Sequence, residues 1–400
     1  MSLLTIEEPV PSAQPALWRA EHPLWRLGFR PFYLLAAGFS AIAVPLWIAR
    51  YFGLLPNLQH IGLNWHMHEM VFGVVLAVII GFLYTAGRNW TGLWTPKGSH
   101  LAALAALWFA GRIAMLAAPP LLAATIDILF LPLAAWPLYR VLKQSGNKRN
   151  LFLIVLLGLL TLANVAFHGA AIAWFAISAS TPIEAAILVI VVIESVIGAR
   201  VIPMFTSNGA PGSKPIVHAK RDKIALGLTV AGGLAWVLHL PAPLVAALNF
   251  AAACAILVRV AGWKPHSTMR VPLLWILHLS YGWIGIGFFL LSLAALNIVT
   301  ASAAFHALTV GSMAGLILGM ITRTALGHTG RMLKAGHAEL AMYVAIQVGA
   351  LARVWAGIGA AGLRDSLLIV AAACWSIAFL LYVISYAPYL MKARLDGREG

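Results

Sequence analysis

The sequence predicts an all-α polytopic membrane protein of about twelve transmembrane helices, and three observations carry that prediction. Of its 400 residues 62% are hydrophobic and only 10% are charged, with a mean hydropathy of +0.89. That is more apolar surface than a water-soluble core of this size can hide. Twelve apolar stretches are long enough to span, because about 20 helical residues cross a hydrocarbon core of roughly 30 Å. Finally, 23 of the 27 lysines and arginines fall in alternate connections between those stretches.

The stretches run at 32–50, 66–87, 101–118, 120–139, 151–176, 183–203, 224–240, 242–261, 272–298, 301–322, 337–357 and 366–391. The first opens after Phe29-Arg30-Pro31-Phe32 and closes at Arg50; the second begins in Trp65-His66-Met67-His68-Glu69-Met70 and runs to Arg88. Pro119-Pro120 alone separates the third from the fourth, Pro241-Ala242-Pro243 the seventh from the eighth, and Asn297 the ninth from the tenth. Proline either ends a helix or kinks it, so these three breaks are the soft ones. The sixth follows Pro182, with Glu184 suited to a helix N-terminus. The longest polar connection, about 204–223, is too short to fold alone. The expected organisation is therefore a tail over 1–31, one transmembrane domain over 32–391 and a tail over 392–400.

A net charge of +15 would suit a nucleic-acid partner, but the placement of the basic residues argues against one. They alternate with hairpins at 51–64, 177–182, 239–243 and 297–300 that carry no lysine or arginine. The positive-inside rule then predicts cytoplasmic N- and C-termini, with membrane lipid as the partner of the basic belt. The first 31 residues hold Glu7, Glu8 and Glu21 before any apolar run, so no cleaved signal is expected. Cys254 and Cys374 are each alone in an apolar stretch, which leaves no thiolate metal site and no haem attachment motif. Any haem must be held noncovalently.

Ionisable groups at membrane depth are expensive and mark function. His66, His68, His168, His278 and His306 fall within predicted spans, and alternating helix direction crowds four of them, all but His278, into the outer half. At 100° per residue His66, Glu69, Met70 and Gly73 share a face, while His66 and His68 diverge. Thr161, Asn164 and His168 line one face of the fifth helix, and His278, Tyr281 and Gly285 one face of the ninth. On the tenth helix Gly311, Gly315 and Gly319 form a stripe that admits a neighbouring helix or a flat macrocycle. The pattern His68-x4-Gly73-x7-Gly81 recurs as His306-x4-Gly311-x7-Gly319, a weak internal repeat. Among the carboxylates Glu69, Asp127, Glu184 and Glu194, the last is nearest mid-membrane, and each needs to be neutral, paired or metal-bound.

Arginine-bearing, turn-rich strings recur on the inner side: Arg26 to Phe32, Arg88 to Gly92, Arg200 to Thr206, Arg323-Thr324, and Gly327-His328-Thr329-Gly330-Arg331. Snorkelling at helix ends accounts for most such arginines. Four from different helices could also converge on one anion, with His328 as an additional metal ligand.

These strings resemble the NnrS family of bacterial membrane proteins over essentially the whole chain, through Trp65 to Met70, Phe29 to Phe32, Arg200 to Thr206 and Met320 to Arg331. The resemblance implies a twelve-helix bacterial inner-membrane protein containing haem b and copper, linked to nitric oxide and to resistance against nitrosative stress in denitrifying or NO-exposed bacteria. A looser comparison, with the haem-copper oxidase architecture of three four-helix arcs, implies a haem between His68 and His306, with His66 the alternative. Its three-histidine copper site has no counterpart, since the sixth helix offers Glu194 instead; His168, His278, Tyr281 and the remaining helix-2 histidine are the candidates.

The expected site residues are thus His66, His68 and His306 for haem, with Arg30, Arg88, Arg200, Arg323 and Arg331 for its propionates. His168, His278 and His328 are further metal ligands, and Glu69, Glu194 and Tyr281 are placed for proton or electron transfer. The leading expectation is a haem- and copper-dependent protein that binds NO and could reduce it to N2O, taking two electrons from an unidentified donor and two protons per pair of NO molecules. The alternatives are a proton- or metal-ion-coupled transporter and a non-catalytic NO sensor or accessory protein.

Overall fold

A computed structural model describes residues 14–359 and 361–399, and among these residues twelve long helices and no strand are found. They are α1 Phe29–Tyr51, α2 Leu63–Thr91, α3 Gly98–Ala117, α4 Pro120–Gln144, α5 Lys148–Ala171 and α6 Ser180–Gly209. The second half comprises α7 Ala219–Val237, α8 Ala242–Gly262, α9 Pro272–Ala295, α10 Ala301–His328, α11 His337–Ile358 and α12 Arg364–Leu390. Eleven are long and apolar enough to cross a membrane. The twelfth, α7, is the exception because Lys220, Arg221, Asp222 and Lys223 occupy its first turns.

All three soft breaks are turns. Ala118 and Pro119 are extended (ψ 157° and 147°) before Pro120 opens α4, as expected because a proline ring drives the residue before it out of the helical region. Pro241 (ψ 132°) is also non-helical, just before α8, and Asn297 takes a left-handed φ of 58° that asparagine tolerates. Several boundaries differ from expectation, those of α1, α5 and α6 among them. Helix α1 starts at Phe29, so Arg30 and Pro31 lie in its first turn, where a missing proline N–H costs nothing. Helix α5 stops at Ala171 and the chain reverses at Ala173, whose φ is 59°. Helix α6 continues through Pro203 to Gly209, so the Arg200 to Thr206 string is helical and not a turn. Residues 1–13 of the expected N-terminal tail lie outside the described residues.

Successive helices pack side by side, and α12 closes onto α1, making a ring. Helices α2, α6 and α10, one from each consecutive group of four, meet around a central cavity of about 110 Å³. Its walls are Val75, Ile79 and Phe82 of α2, Ile190, Ile193 and Glu194 of α6, and Leu316, Ile317 and Met320 of α10.

Both helices of the internal repeat widen into π-helix just after the matching histidine. In α2 the π segment is Glu69–Val75, after His68; in α10 it is Ala307–Ala314, after His306. Such segments concentrate at functional sites because the wide turn redirects side chains. Here it breaks the 100° spacing that would place Met70 and Gly73 on the face of His66. The glycine stripe of α10 is filled by α9: an added Cβ at Gly311 would lie 2.5 Å from Trp283, at Gly315 2.8 Å from the Ser280 Cβ, and at Gly319 2.7 Å from Leu277. The stripe is therefore used for helix packing and leaves no slot for a macrocycle.

Replacing Gly315 by Val should overpack the α9–α10 seam and destabilise the protein by about 1–3 kcal/mol, whereas Gly227→Ala, where nothing lies within 4 Å of the added atom, should be close to neutral. Thermal unfolding of the two purified variants in one detergent checks this; equal midpoints would refute the packing role.

Candidate metal centre

Four neighbouring helices each send polar side chains to one buried point. His68 and Glu69 come from the start of the α2 π segment, Arg112 from α3, Asp127 from α4, and Asn164 and His168 from α5; none is more than 5% exposed. Asp127 sits at the centre. Its Oδ2 lies 3.0 Å from His68 Nε2 and 3.1 Å from His168 Nε2, and it accepts a 2.7 Å hydrogen bond from Asn164 Nδ2. Its Oδ1 accepts from the Arg112 guanidinium, whose other nitrogen donates to Glu69 Oε2 at 2.9 Å. Glu69 Oε1 in turn lies 3.0 Å from His68 Nδ1. Gly73 is what leaves room for this arrangement, since a Cβ there would fall 2.5 Å from the Arg112 guanidinium and 3.0 Å from Glu69 Oε2.

The donor set suits a transition-metal ion. Ligand atoms of His68, Asp127 and His168 all lie within 4.8 Å of one another, and the 3.0 and 3.1 Å separations approach the roughly 3.3 Å edge of a tetrahedron with ligands about 2.0–2.1 Å from the ion. Two imidazoles and a carboxylate are ligands that copper and zinc accept. Glu69 holding the second ring nitrogen of His68 reproduces the carboxylate–histidine support that orients metal-binding imidazoles. Charge agrees as well. Two carboxylates against one guanidinium leave the cluster one negative charge, which either a proton on an imidazole or a cation can cancel.

Asn164 and His168, expected on one face of the fifth helix, both reach Asp127, whereas Arg112 and Asp127 are not among the expected site residues. A signal was present: the two sit at matching depth on either side of the Pro119-Pro120 hairpin, so an antiparallel pair of helices brings them level.

His68 does not face His306; both its ring nitrogens serve the cluster. His66 is the histidine of α2 within electrostatic reach of His306, and Arg353 of α11 lies close to both. His66 stacks on Trp47 with centroids 5.4 Å apart, and its buried Nδ1 has no hydrogen-bond partner among the described residues. His306 Nδ1 donates to the Ser302 carbonyl at 2.7 Å, which leaves Nε2 as the lone-pair nitrogen. With Arg353 the two imidazoles form a second polar group at the rim of the bundle, where α2 and α10 begin. The central cavity does not fit a haem, being well below the roughly 300 Å³ at which ligand pockets begin.

The remaining residues are dispersed. Glu194 accepts a 3.1 Å bond from Ser312 beside the central cavity. The Tyr281 hydroxyl accepts from Arg259 at 2.7 Å, and His278 Nε2 pairs with the Thr206 hydroxyl at 2.7 Å. His278 and Tyr281 are thereby engaged away from the cluster. The arginines do not converge on one ligand. Arg88 lies over Trp94, Arg323 over Phe205, and Arg200 donates to Asn150 Oδ1. Arg30 and Arg331 are near one another, but Arg30 donates to the Leu390 and Lys392 carbonyls and Arg331 lies over Tyr389. His328 packs against Phe29 and lies close to Arg30 and Arg394.

Substituting Arg112 by Met should leave Glu69 and Asp127 as uncompensated buried anions and cost about 3–5 kcal/mol, read as a lowered unfolding midpoint. Restoring neutrality with Glu69→Gln and Asp127→Asn in the same chain should recover part of the loss. A midpoint unchanged by Arg112→Met would show that the guanidinium does not hold the cluster.

Comparison with known proteins agrees with the motifs. A search of curated proteins gave no match, but the family model described as NnrS protein matches residues 23–394, nearly the full length and all four helices of the cluster. A twelve-helix ring whose second helix carries the Trp65 to Met70 motif into a buried His–Asp–His centre, matched along almost its entire length, belongs to the NnrS family.

Proposed function

We propose that this protein is a metal-dependent membrane protein that binds nitric oxide and protects against nitrosative stress, with a copper ion held by His68, Asp127 and His168. Family membership links the chain to nitric oxide-related function. The observation that carries the metal reading is the buried His–Asp–His set with its supporting carboxylate and guanidinium. Bound copper would supply a redox-active Lewis-acid centre that a small ligand such as NO can approach.

The chain's own residues would do the rest. Arg112 fixes Asp127 through Oδ1, so Oδ2 is the oxygen turned toward both imidazoles. Asn164 donates to that same oxygen and holds its direction. The haem b of the family resemblance would be held at the rim, by His66 and His306, with Arg353 as the cationic partner of a propionate. The unmet Nδ1 of His66 supports that assignment. Reduction of NO to N2O is the finer form of the proposal. It needs protons as well as electrons, and Glu69 of the cluster and Glu194 beside the central cavity are the carboxylates placed to carry them. The cavity is mainly apolar, as suits a small uncharged gas.

Metal and pyridine-haemochrome analysis of the purified protein, followed by the reduced optical spectrum before and after NO, tests this reading. His68→Ala and His168→Ala should each lower copper retention by more than the roughly 10- to 100-fold that loss of a ligand's supporting partner costs, and leave haem content unchanged. His66→Ala and His306→Ala should do the reverse. A metal-free, spectrally silent protein that moves protons or copper ions across vesicles would instead establish the transporter alternative, and NO binding without turnover the sensor.

A further inference from the structure

On the face that carries the basic connections, a cavity of about 910 Å³ opens between the start of α5, the far half of α6, the start of α7 and the end of α8. Arg149, Arg200, Lys214, Lys223 and Arg259 line it, with Asp222 as its one carboxylate. Asp222 is already engaged, since its Oδ1 accepts from Arg259 Nε at 2.8 Å. Among the described residues the other four cations pair with no carboxylate.

Positive-inside bias alone produces solvated charges spread over a surface, free to move apart. Here the charges share a concavity, where low-dielectric walls focus their field. Arg149 and Arg200, from neighbouring helices, lie within electrostatic reach of each other. Arg200 is half-buried and its guanidinium is anchored by the 2.9 Å bond to Asn150 Oδ1, so it is held beside the like charge. Two guanidiniums fixed in this way suit an oxyanion with several acceptor oxygens, because the planar fork of each matches phosphate geometry. The cavity also has an apolar lining, Val196, Ala199 and Pro203 on α6 beside Arg200 and Leu226 on α7. The volume falls in the ordinary range for ligand sites.

We infer that this cavity is a binding site for a phosphate-bearing anion, with the phosphate between Arg149 and Arg200 and the attached apolar portion against Val196, Ala199, Pro203 and Leu226. A phospholipid headgroup and a soluble phosphate compound both carry that chemistry. The apolar wall favours the lipid. The site is separate from the metal cluster, and the inference does not depend on what that cluster does.

Native mass spectrometry of the full-length protein in detergent, titrated with phosphatidylglycerol, phosphatidylcholine or inorganic pyrophosphate, tests it. Phosphatidylglycerol should be retained in preference to the zwitterionic lipid. The double variant Lys214→Ala/Lys223→Ala, which changes only exposed side chains, should weaken retention roughly thirtyfold, from about fivefold per basic residue near an anionic headgroup. Arg149→Gln should weaken it further while copper and haem content stay as in the parent. Retention that millimolar pyrophosphate does not displace identifies a lipid; pyrophosphate binding with the same dependence on the variants identifies a soluble phosphate. No preference for either anion over phosphatidylcholine, or binding indifferent to the variants, overturns the inference.

Discussion

Glu69 and Asp127 bring two carboxylates into the apolar interior of the bundle, and Arg112 is the guanidinium that lies against both. Removing a charge from water costs several kcal/mol even after the protein relaxes, so neither carboxylate could sit at that depth alone. Once the guanidinium is in place, much else is constrained. Helices α2, α3 and α4 are held in one register, Gly73 has to stay without a side chain, and the free oxygen of Asp127 is aimed at His68 and His168 of α5. The cluster that offers a metal its ligands is thus also a cross-link among four helices.

The π segment of α2 begins within this cluster, at Glu69. The helix is wider from Glu69 to Val75, and within that stretch Gly73 passes beneath Arg112. The matching segment after His306 gives α10 the same local form at the corresponding point of the repeat. The shared device makes the His68/His306 correspondence more than a coincidence of glycine spacing. It does not make the two histidines partners. His68 turns to α4 and α5, whereas His306 turns to its own Ser302 carbonyl and shares its surroundings with His66 and Arg353.

The molecule separates its polar chemistry by depth. The metal cluster and the rim histidines occupy the end with few basic residues, the mainly apolar cavity lies between α2, α6 and α10, and the basic cavity opens at the opposite end. Helix α6 forms a wall of both cavities, presenting Glu194 and Gly198 to the central one and Val196, Ala199 and Arg200 to the basic one. A single helix face alternation therefore keeps a charged compartment apart from a nearly apolar one.

Fold class and helix number were determined by the chain itself, because backbone groups in hydrocarbon must be satisfied within the helix and only long apolar segments can do that. The prolines at 119, 120, 241 and 243 and the left-handed Asn297 marked turns by local sterics. The candidate histidines were legible for a related reason: an imidazole in an apolar helix is conspicuous. Their partnerships were not. Which of His66 and His68 meets α10 depends on the π-helical change of phase after His68, and no spacing rule based on regular helix reveals it. Arg112 and Asp127 stand on different helices, and only the α3–α4 hairpin brings them level with each other. The glycine stripe admitted either a helix or a macrocycle, and only the position of α9 decided for the helix. Local hydrophobicity and turn chemistry act within a segment, whereas charge pairing and metal geometry are relations among helices, set only when those helices are packed.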